Sequence, residues 1–321
     1  MIRFAIMGSA KIARTQLAPA ILEAGYPIQA VASRSLEQAR AFATEVGAKR
    51  YYDNYDALFS DDQVDAVYIP LPNHLHVPWA IKAMAAGKHV LCEKPIALDR
   101  ADLQPLLEAA ARFDGTLMEA FMVCHHAQWS AIHQKILPAI GDLRALHAVF
   151  SYGLTDAKNV RNVPEWGGGG LLDIGCYTVL AGRWCFGADP VRVQSSIDLD
   201  PQFGIDRQTS ALLDYGQGRT LSLTVCTQAA RYQRLLLLGS KGWAELEIPF
   251  NAPNEGVRIR LAPDGGLGAG EIIEIPPQNQ YASMVRAFAE QAQSGKAWNN
   301  LEQSAALIQV LDQIRTNAKP A

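Results

Sequence analysis

The chain is short of net charge, of cysteine and of long apolar runs, and each shortage excludes a class of function. Its 29 Lys and Arg against 32 Asp and Glu leave a formal charge of −3. That field is too weak for nucleic acid or an anionic membrane surface to be the main partner. No apolar stretch approaches the ~20 residues that span a bilayer. The apolar start Ile2 to Met7 breaks at Gly8, with Lys11 and Arg14 following, which suits neither a signal peptide nor an anchor. The five cysteines, Cys92, Cys124, Cys176, Cys185 and Cys226, are odd in number and far apart. They read as reduced thiols rather than a disulfide framework or a zinc site. Cytoplasm is the expected compartment, a small molecule the expected ligand, and no metal is expected.

What is present is apolar content and length. At 49% hydrophobic over 321 residues, the chain suits two domains, each with a core of its own. In the first third, strand-like runs (Ile2 to Met7, Ile28 to Ser33, Val64 to Pro70, Lys88 to Cys92, Thr116 to Ala120) alternate with helical stretches (Lys11 to Ala24, Leu36 to Val46, His74 to Ala86, Asp99 to Phe113). Gly47, Gly87 and Gly115 stand where helices stop. Short connectors between alternating strands and helices imply a doubly wound α/β domain with a parallel sheet, expected over residues 1–121. From 122 to 321 the rhythm becomes extended segments joined by turns such as Tyr215-Gly216-Gln217-Gly218 and Gly239-Ser240-Lys241-Gly242, with helices near Gln128 to Ala139, Leu171 to Cys185, Asn279 to Gln293 and Leu301 to Asn317. An α+β domain with a largely antiparallel, open-faced sheet follows, and an exposed sheet face would pair subunits into a homodimer or higher homo-oligomer.

Four motifs can carry chemistry. Gly8-Ser9-Ala10-Lys11-Ile12-Ala13 joins the first strand to a helix, where a dinucleotide fold needs small residues beneath a pyrophosphate; an ordinary strand-to-helix turn has the same look. The second strand ends Ser33-Arg34-Ser35 without a carboxylate. A guanidinium there pairs with a 2′-phosphate that a carboxylate would repel, which favours NADP(H) and leaves NAD(H) usable; Arg34 also suits a solvated helix start. Glu93-Lys94-Pro95 stands at a strand's carboxyl end, where open α/β sheets bind ligands and where strand ends often carry charge in any case. Trp166-Gly167-Gly168-Gly169-Gly170 leads into a helix carrying Asp173 and Tyr177 at i and i+4, one turn apart on one face. The glycines let backbone approach a ligand, and a carboxylate beside a phenol can move a proton or grip sugar hydroxyls; on these residues alone a capped helix with a buried tyrosine is the favoured reading. Trp166 suits stacking on a nicotinamide or sugar as well as plain packing.

Together with Pro72-Asn73-His74-Leu75-His76 and Gly87-Lys88-His89-Val90, these motifs occur in the order and spacing of the Gfo/Idh/MocA oxidoreductases, which the chain resembles over nearly its whole length. Tyr177, where many members carry histidine, and Met118-Glu119-Ala120-Phe121-Met122 resemble the branch of dimeric dihydrodiol dehydrogenases, NADP-dependent xylose dehydrogenases and glucose-fructose oxidoreductase. Ala10 departs from the central glycine, and Cys124 and Ala127 stand where that branch often shows arginine and proline. The resemblance implies hydride transfer between a nicotinamide and a carbohydrate-like substrate. Tyr177 would be the general acid/base, Lys94 would lower its pKa, and Asp173 would orient Lys94 or bind a substrate hydroxyl. It further implies that Gly8, Ser9, Ala10, Lys11, Ile12, Ser33, Arg34, Pro70, Leu71, Asn73, His76, Glu93, Lys94 and Trp166 lie at the cofactor. A glycosidase that retains NAD and a cofactor-sensing regulator share the family fold and are the alternatives.

Overall fold

The computed structural model describes residues 1–266, 268 and 270–320. The apolar runs of the first third become β1 (Phe4–Met7), β2 (Ile28–Ala32), β3 (Arg50–Tyr52), β4 (Ala66–Ile69), β5 (His89–Cys92) and β6 (Thr116–Glu119). Every residue of β1, β2, β4 and β6 is buried. That is why these segments read as continuous rather than alternating apolar runs: a parallel sheet with both faces covered has no solvent side. Between them run α1 (Ala18–Glu23), α2 (Leu36–Val46), α3 (Tyr55–Phe59), α4 (His76–Ala85) and α5 (Arg100–Ala110). Helix α2 shows the local logic. Ser35 caps it by accepting the Gln38 N–H, Gly47 ends it at φ 70°, and Ala39, Phe42, Ala43 and Val46 face the sheet.

The second region holds α6 (Ala127–Ala131), α7 (Leu137–Ile140), α8 (Cys176–Phe186) and the strands β7 (Leu143–Gly153), β8 (Arg192–Leu199), β9 (Asp206–Asp214), β10 (Thr220–Cys226), β11 (Gln228–Gly239), β12 (Trp243–Leu246), β13 (Val257–Ala262) and β14 (Glu271–Ile275). Burial alternates along them. Thr209, Ala211 and Leu213 are buried while Gln208 and Leu212 are exposed, the period of a half-covered antiparallel sheet. The chain closes with α9 (Gln280–Gln293), β15 (Trp298–Asn299), α10 (Leu301–Thr316) and β16 (Ala318–Pro320).

Among the described residues the first sheet is ordered β15-β6-β5-β4-β1-β2-β3, all parallel, and the second β14-β13-β12-β11-β7-β10-β9-β8-β16. In the second, the β10–β7 and β16–β8 pairs are parallel and the rest antiparallel. The structure is therefore the expected α/β domain with a Rossmann-type sheet, plus a largely antiparallel second sheet.

Packing divides the chain at other points than a single cut at residue 121. One unit is Met1–His125 with Asn279–Ala305, the other His126–Gln278 with the chain from Ala306 on. The far segment joins the first unit through β15 pairing with β6, through Phe288 against Phe4 at 5.7 Å and through Asn279 Nδ2 donating to Glu23 Oε2 at 2.7 Å. The short β3 and α3 escape periodicity as well, because Arg50 and Tyr51 are exposed and three residues carry no alternation to read. All five cysteines are free, and no helix among the described residues is long and apolar enough to cross a membrane.

Candidate active site

In the first unit, β1 is flanked by β2 on one side and β4 on the other, so the strand order reverses beside β1. Such a switch point opens a crevice at the strands' carboxyl ends. Gly8 stands there at φ +78°, and a Cβ on it would lie 3.2 Å from Leu71 Cδ2 and 3.6 Å from the Tyr55 hydroxyl. Residues 11–23 then run as a helix whose first-turn N–H groups, near Ala10, Lys11 and Ile12, point back toward the turn as an anion seat. At the end of β2, Ser33 is buried, its N–H bonded to the Tyr52 carbonyl at 3.0 Å, while Arg34 is exposed and its charge is felt by Tyr55. No carboxylate ends β2. A dinucleotide carrying a 2′-phosphate fits this donor set, with close backbone at Gly8 and a cation at Arg34. Tyr55 was not visible in the sequence as a member of this group; the only signal is its place directly after the capping Asn54.

Pro70 is buried and Leu71 and Asn73 are half-buried at the end of β4. His76 is fully buried, with Nε2 2.7 Å from the Leu71 carbonyl and Nδ1 2.7 Å from the Pro95 carbonyl. Burial outweighs those two carbonyls and lowers its pKa to about 4. The neutral ring carries one N–H, so it donates to one of these two carbonyls and lies in close contact with the other. His76 lies beneath the crevice and ties its two turns together. Glu93 is likewise engaged, accepting the Tyr68 hydroxyl at 2.7 Å and the Lys94 N–H at 3.3 Å, and Lys94 itself is half-buried.

In the second unit, Asp173 lies in the π-helical stretch Leu171–Gly175 that leads into α8, and Tyr177 follows on α8. Tyr177 is 5% exposed and packs edge-on against Phe150 and tilted against Phe250, each at 5.9 Å. The Asp173 carboxylate is held by protein groups: Tyr152 Oη donates to Oδ2 at 2.5 Å and Arg161 Nε lies 2.9 Å from the same oxygen. Asp173 raises the Arg161 pKa further, and the Tyr152 and Tyr177 phenols are close enough to couple electrostatically to the same guanidinium. Burial, then Asp173, raises that of Tyr152. Neither Tyr152 nor Arg161 was singled out from the sequence, where one is an unremarked position in a strand and the other a polar loop residue.

The glycine run explains how Arg161 arrives there. A Cβ on Gly168 would stand 2.6 Å from the Arg161 carbonyl oxygen, and one on Gly169, at φ +110°, would collide with the Asp206 carboxylate. Gly169 N–H bonds the Arg161 carbonyl at 2.9 Å, and Asp206 Oδ2 accepts the Leu171 N–H at 2.6 Å. Within this unit the close approach expected of the glycines is to the protein's own loop, which presses Arg161 onto Asp173. Trp166, in the 3-10 turn Pro164–Trp166, is 42% exposed. Of the two departures from the branch pattern, Cys124 is a thiol whose pKa burial pushes up to about 12, and Ala127 donates its N–H to Gln278 Oε1 at 2.8 Å.

A parallel sheet with a switch point, a glycine turn into a helix and a proton-bearing cluster on the second unit define a Rossmann-type oxidoreductase. Residues 2–121 match the oxidoreductase family with NAD-binding Rossmann fold, and residues 138–245 match the GFO/IDH/MocA C-terminal domain. The chain belongs to the Gfo/Idh/MocA oxidoreductase family. It is 41% identical to the uncharacterized oxidoreductase ORF334 of Rhizobium meliloti, covering 99% of this chain and 97% of that one. It is 32% identical to D-xylose 1-dehydrogenase (NADP(+)) 2 of Haloferax volcanii, covering 98% and 97%. Its structure superposes with a TM-score of 0.89 on a 3-ketoreductase from Actinomadura kijaniata in complex with NADP and TDP-benzene, at 31% identity over 99% of this chain and 98% of that one.

Proposed function

We propose that the protein is an NADP(H)-dependent oxidoreductase that interconverts a hydroxyl and a carbonyl on a sugar, a sugar derivative or a related diol, with Tyr177 as general acid/base and Lys94 as its cationic partner. The observation that carries the chemistry is the Tyr152–Asp173–Arg161 cluster in the electrostatic surroundings of a nearly buried Tyr177. Of the relatives named above, one is a D-xylose 1-dehydrogenase (NADP(+)) and another a 3-ketoreductase in complex with NADP.

Gly8 and the first-turn N–H groups of the helix from Lys11 seat the pyrophosphate, and Arg34 holds the 2′-phosphate. When bound, the nicotinamide supplies or accepts the hydride. In reduction, Tyr177 Oη gives its proton to the substrate oxygen as that oxygen gains charge; in oxidation it takes the proton back. A free phenol ionises near ~10, so the basic form needs cations, and Lys94 and Arg161 are the two that this reading supplies. Asp173, held by Arg161 and Tyr152, keeps the guanidinium in place. Positioned proton transfer of this kind contributes about 10²–10⁴-fold in rate.

A panel of aldoses, ketoses and diones, followed by nicotinamide absorbance with NADPH and with NADP⁺, tests the reading. Tyr177→Phe is expected to lower kcat by about 10²–10⁴-fold while NADPH binding, read by fluorescence titration, stays intact. Wild-type kcat in that variant ends the assignment. Sugar turnover without net nicotinamide consumption indicates the glycosidase instead, and cofactor binding without any turnover indicates the sensor.

A further inference from the structure

Glu119 ends β6 at 2% exposure, and none of the roles above uses it. Its two oxygens are divided between two partners. Oε1 accepts the N–H of Ile96, two residues after Lys94, at 2.9 Å, and Oε2 accepts the Ser304 hydroxyl of α10 at 2.5 Å. Asn300 grips the same residue by its backbone, accepting the Glu119 N–H at 2.9 Å and donating to its carbonyl at 3.3 Å. Residues 94 to 96 are therefore held at the Lys94 N–H by Glu93 and at the Ile96 N–H by Glu119, with the Pro95 carbonyl between them 2.7 Å from His76 Nδ1.

A carboxyl group at this depth is costly to ionise because burial strips its hydration, and an apolar residue would fill the space without that cost. Burial raises its pKa to about 7 even though Ser304, the Ile96 N–H and Lys94 all favour the charged form; Glu93 opposes it. The buried thiol of Cys92 and the half-buried thiol of Cys124 also feel it. What the carboxyl does, and an apolar side chain could not, is accept the Ile96 N–H and fix the backbone from which Lys94 projects.

We propose that Glu119 is a positioning residue for Lys94, anchored by Ser304 and Asn300 and acting through the Ile96 N–H. The proposal rests on the reading of Lys94 as a catalytic residue, and its test can be read with or without turnover. On the cofactor-free full chain, brief acetylation with acetic anhydride and peptide mass spectrometry report the reactivity of the Lys94 amine against exposed Lys135 and Lys158. Glu119→Ala is expected to acetylate several-fold faster at Lys94 alone, because the turn loosens. Glu119→Gln, which keeps an acceptor for the Ile96 N–H, is expected to behave as wild type, and Ser304→Ala to fall between and to carry the test where Glu119→Ala does not fold. In turnover, Glu119→Ala is expected to lose about 10- to 100-fold in kcat with NADPH affinity unchanged, the scale of a small misplacement. Lys94 reactivity unchanged in the folded Ala variants overturns the proposal, as does a Gln variant as reactive as Ala, which would mark charge rather than the hydrogen bond. If Lys94→Ala keeps its kcat while the labelling pattern holds, the catalytic reading of Lys94 fails and the positioning of its turn stands.

Discussion

Arg161 and Asp173 meet through Nε and Oδ2 at 2.9 Å, and the oxygen that receives the guanidinium also receives the Tyr152 hydroxyl. The carboxylate side chain is 13% exposed and the arginine 46%, so the pair is sheltered on one side and open on the other. Its worth to stability is accordingly small. Its consequence is electrostatic: a fixed positive charge within range of Tyr177.

Replacing that arginine by an uncharged residue should therefore move the pH profile. Removing a cation makes the phenolate costlier, so the alkaline rise of the oxidation rate in Arg161→Gln is expected about one pH unit higher than in the wild type, with kcat at neutral pH reduced about tenfold. Initial rates from pH 6 to 10 with NADP⁺ check this, and superimposable profiles remove Arg161 from the mechanism.

Cofactor choice turns on Arg34. A charged hydrogen-bonding partner to phosphate contributes about 1.5–3 kcal/mol, or roughly 10- to 100-fold in affinity. Arg34→Asp is expected to lose that factor or more for NADPH and to bind NADH as well as or better than the wild type, since the carboxylate accepts from ribose hydroxyls. Fluorescence titration with both cofactors is the measurement; an unchanged ratio of the two dissociation constants contradicts the assignment.

Glu119 should leave a mark on stability against pH. Its folded pKa of about 7 lies above the ordinary 4.5, so between those values the native state keeps a proton that the unfolded chain has released. Stability from this group is full below 4.5 and is lost as pH rises through 7. His76, lowered to about 4, works in the opposite sense over an overlapping range, but it is common to wild type and Glu119→Gln. The difference in unfolding free energy between the two proteins isolates Glu119. Urea titrations from pH 5 to 8 are expected to show the wild type losing roughly 3 kcal/mol relative to the variant, and parallel curves would mean that Glu119 titrates normally.

Much of the first unit could be read from the sequence because its information is local. Uninterrupted apolar strands, Ser35 and Asp99 as helix caps and Gly47 as a helix stop all act within a few residues. The positions of Gly8, Arg34 and Lys94 followed from strand ends alone. What escaped was set by distant partners. Glu119 meets Ser304 across 185 positions, and β15 returns to the edge of a sheet whose other strands end by Glu119. Arg161 gains its meaning only from Asp173.

The sequence by itself determined most of the longer strands and helices, that the β1 turn suits a dinucleotide, and that no carboxylate guards the end of β2, because propensity, burial period and residue chemistry are carried by neighbours in the chain. Only the tertiary structure decided that residues 279–305 pack with the first unit, that the glycine run serves the protein's own loop, that His76 is buried between two carbonyls, and which partners hold Asp173 and Glu119. Those outcomes depend on close packing and on hydrogen bonds between residues far apart in sequence, whose distances no local pattern encodes.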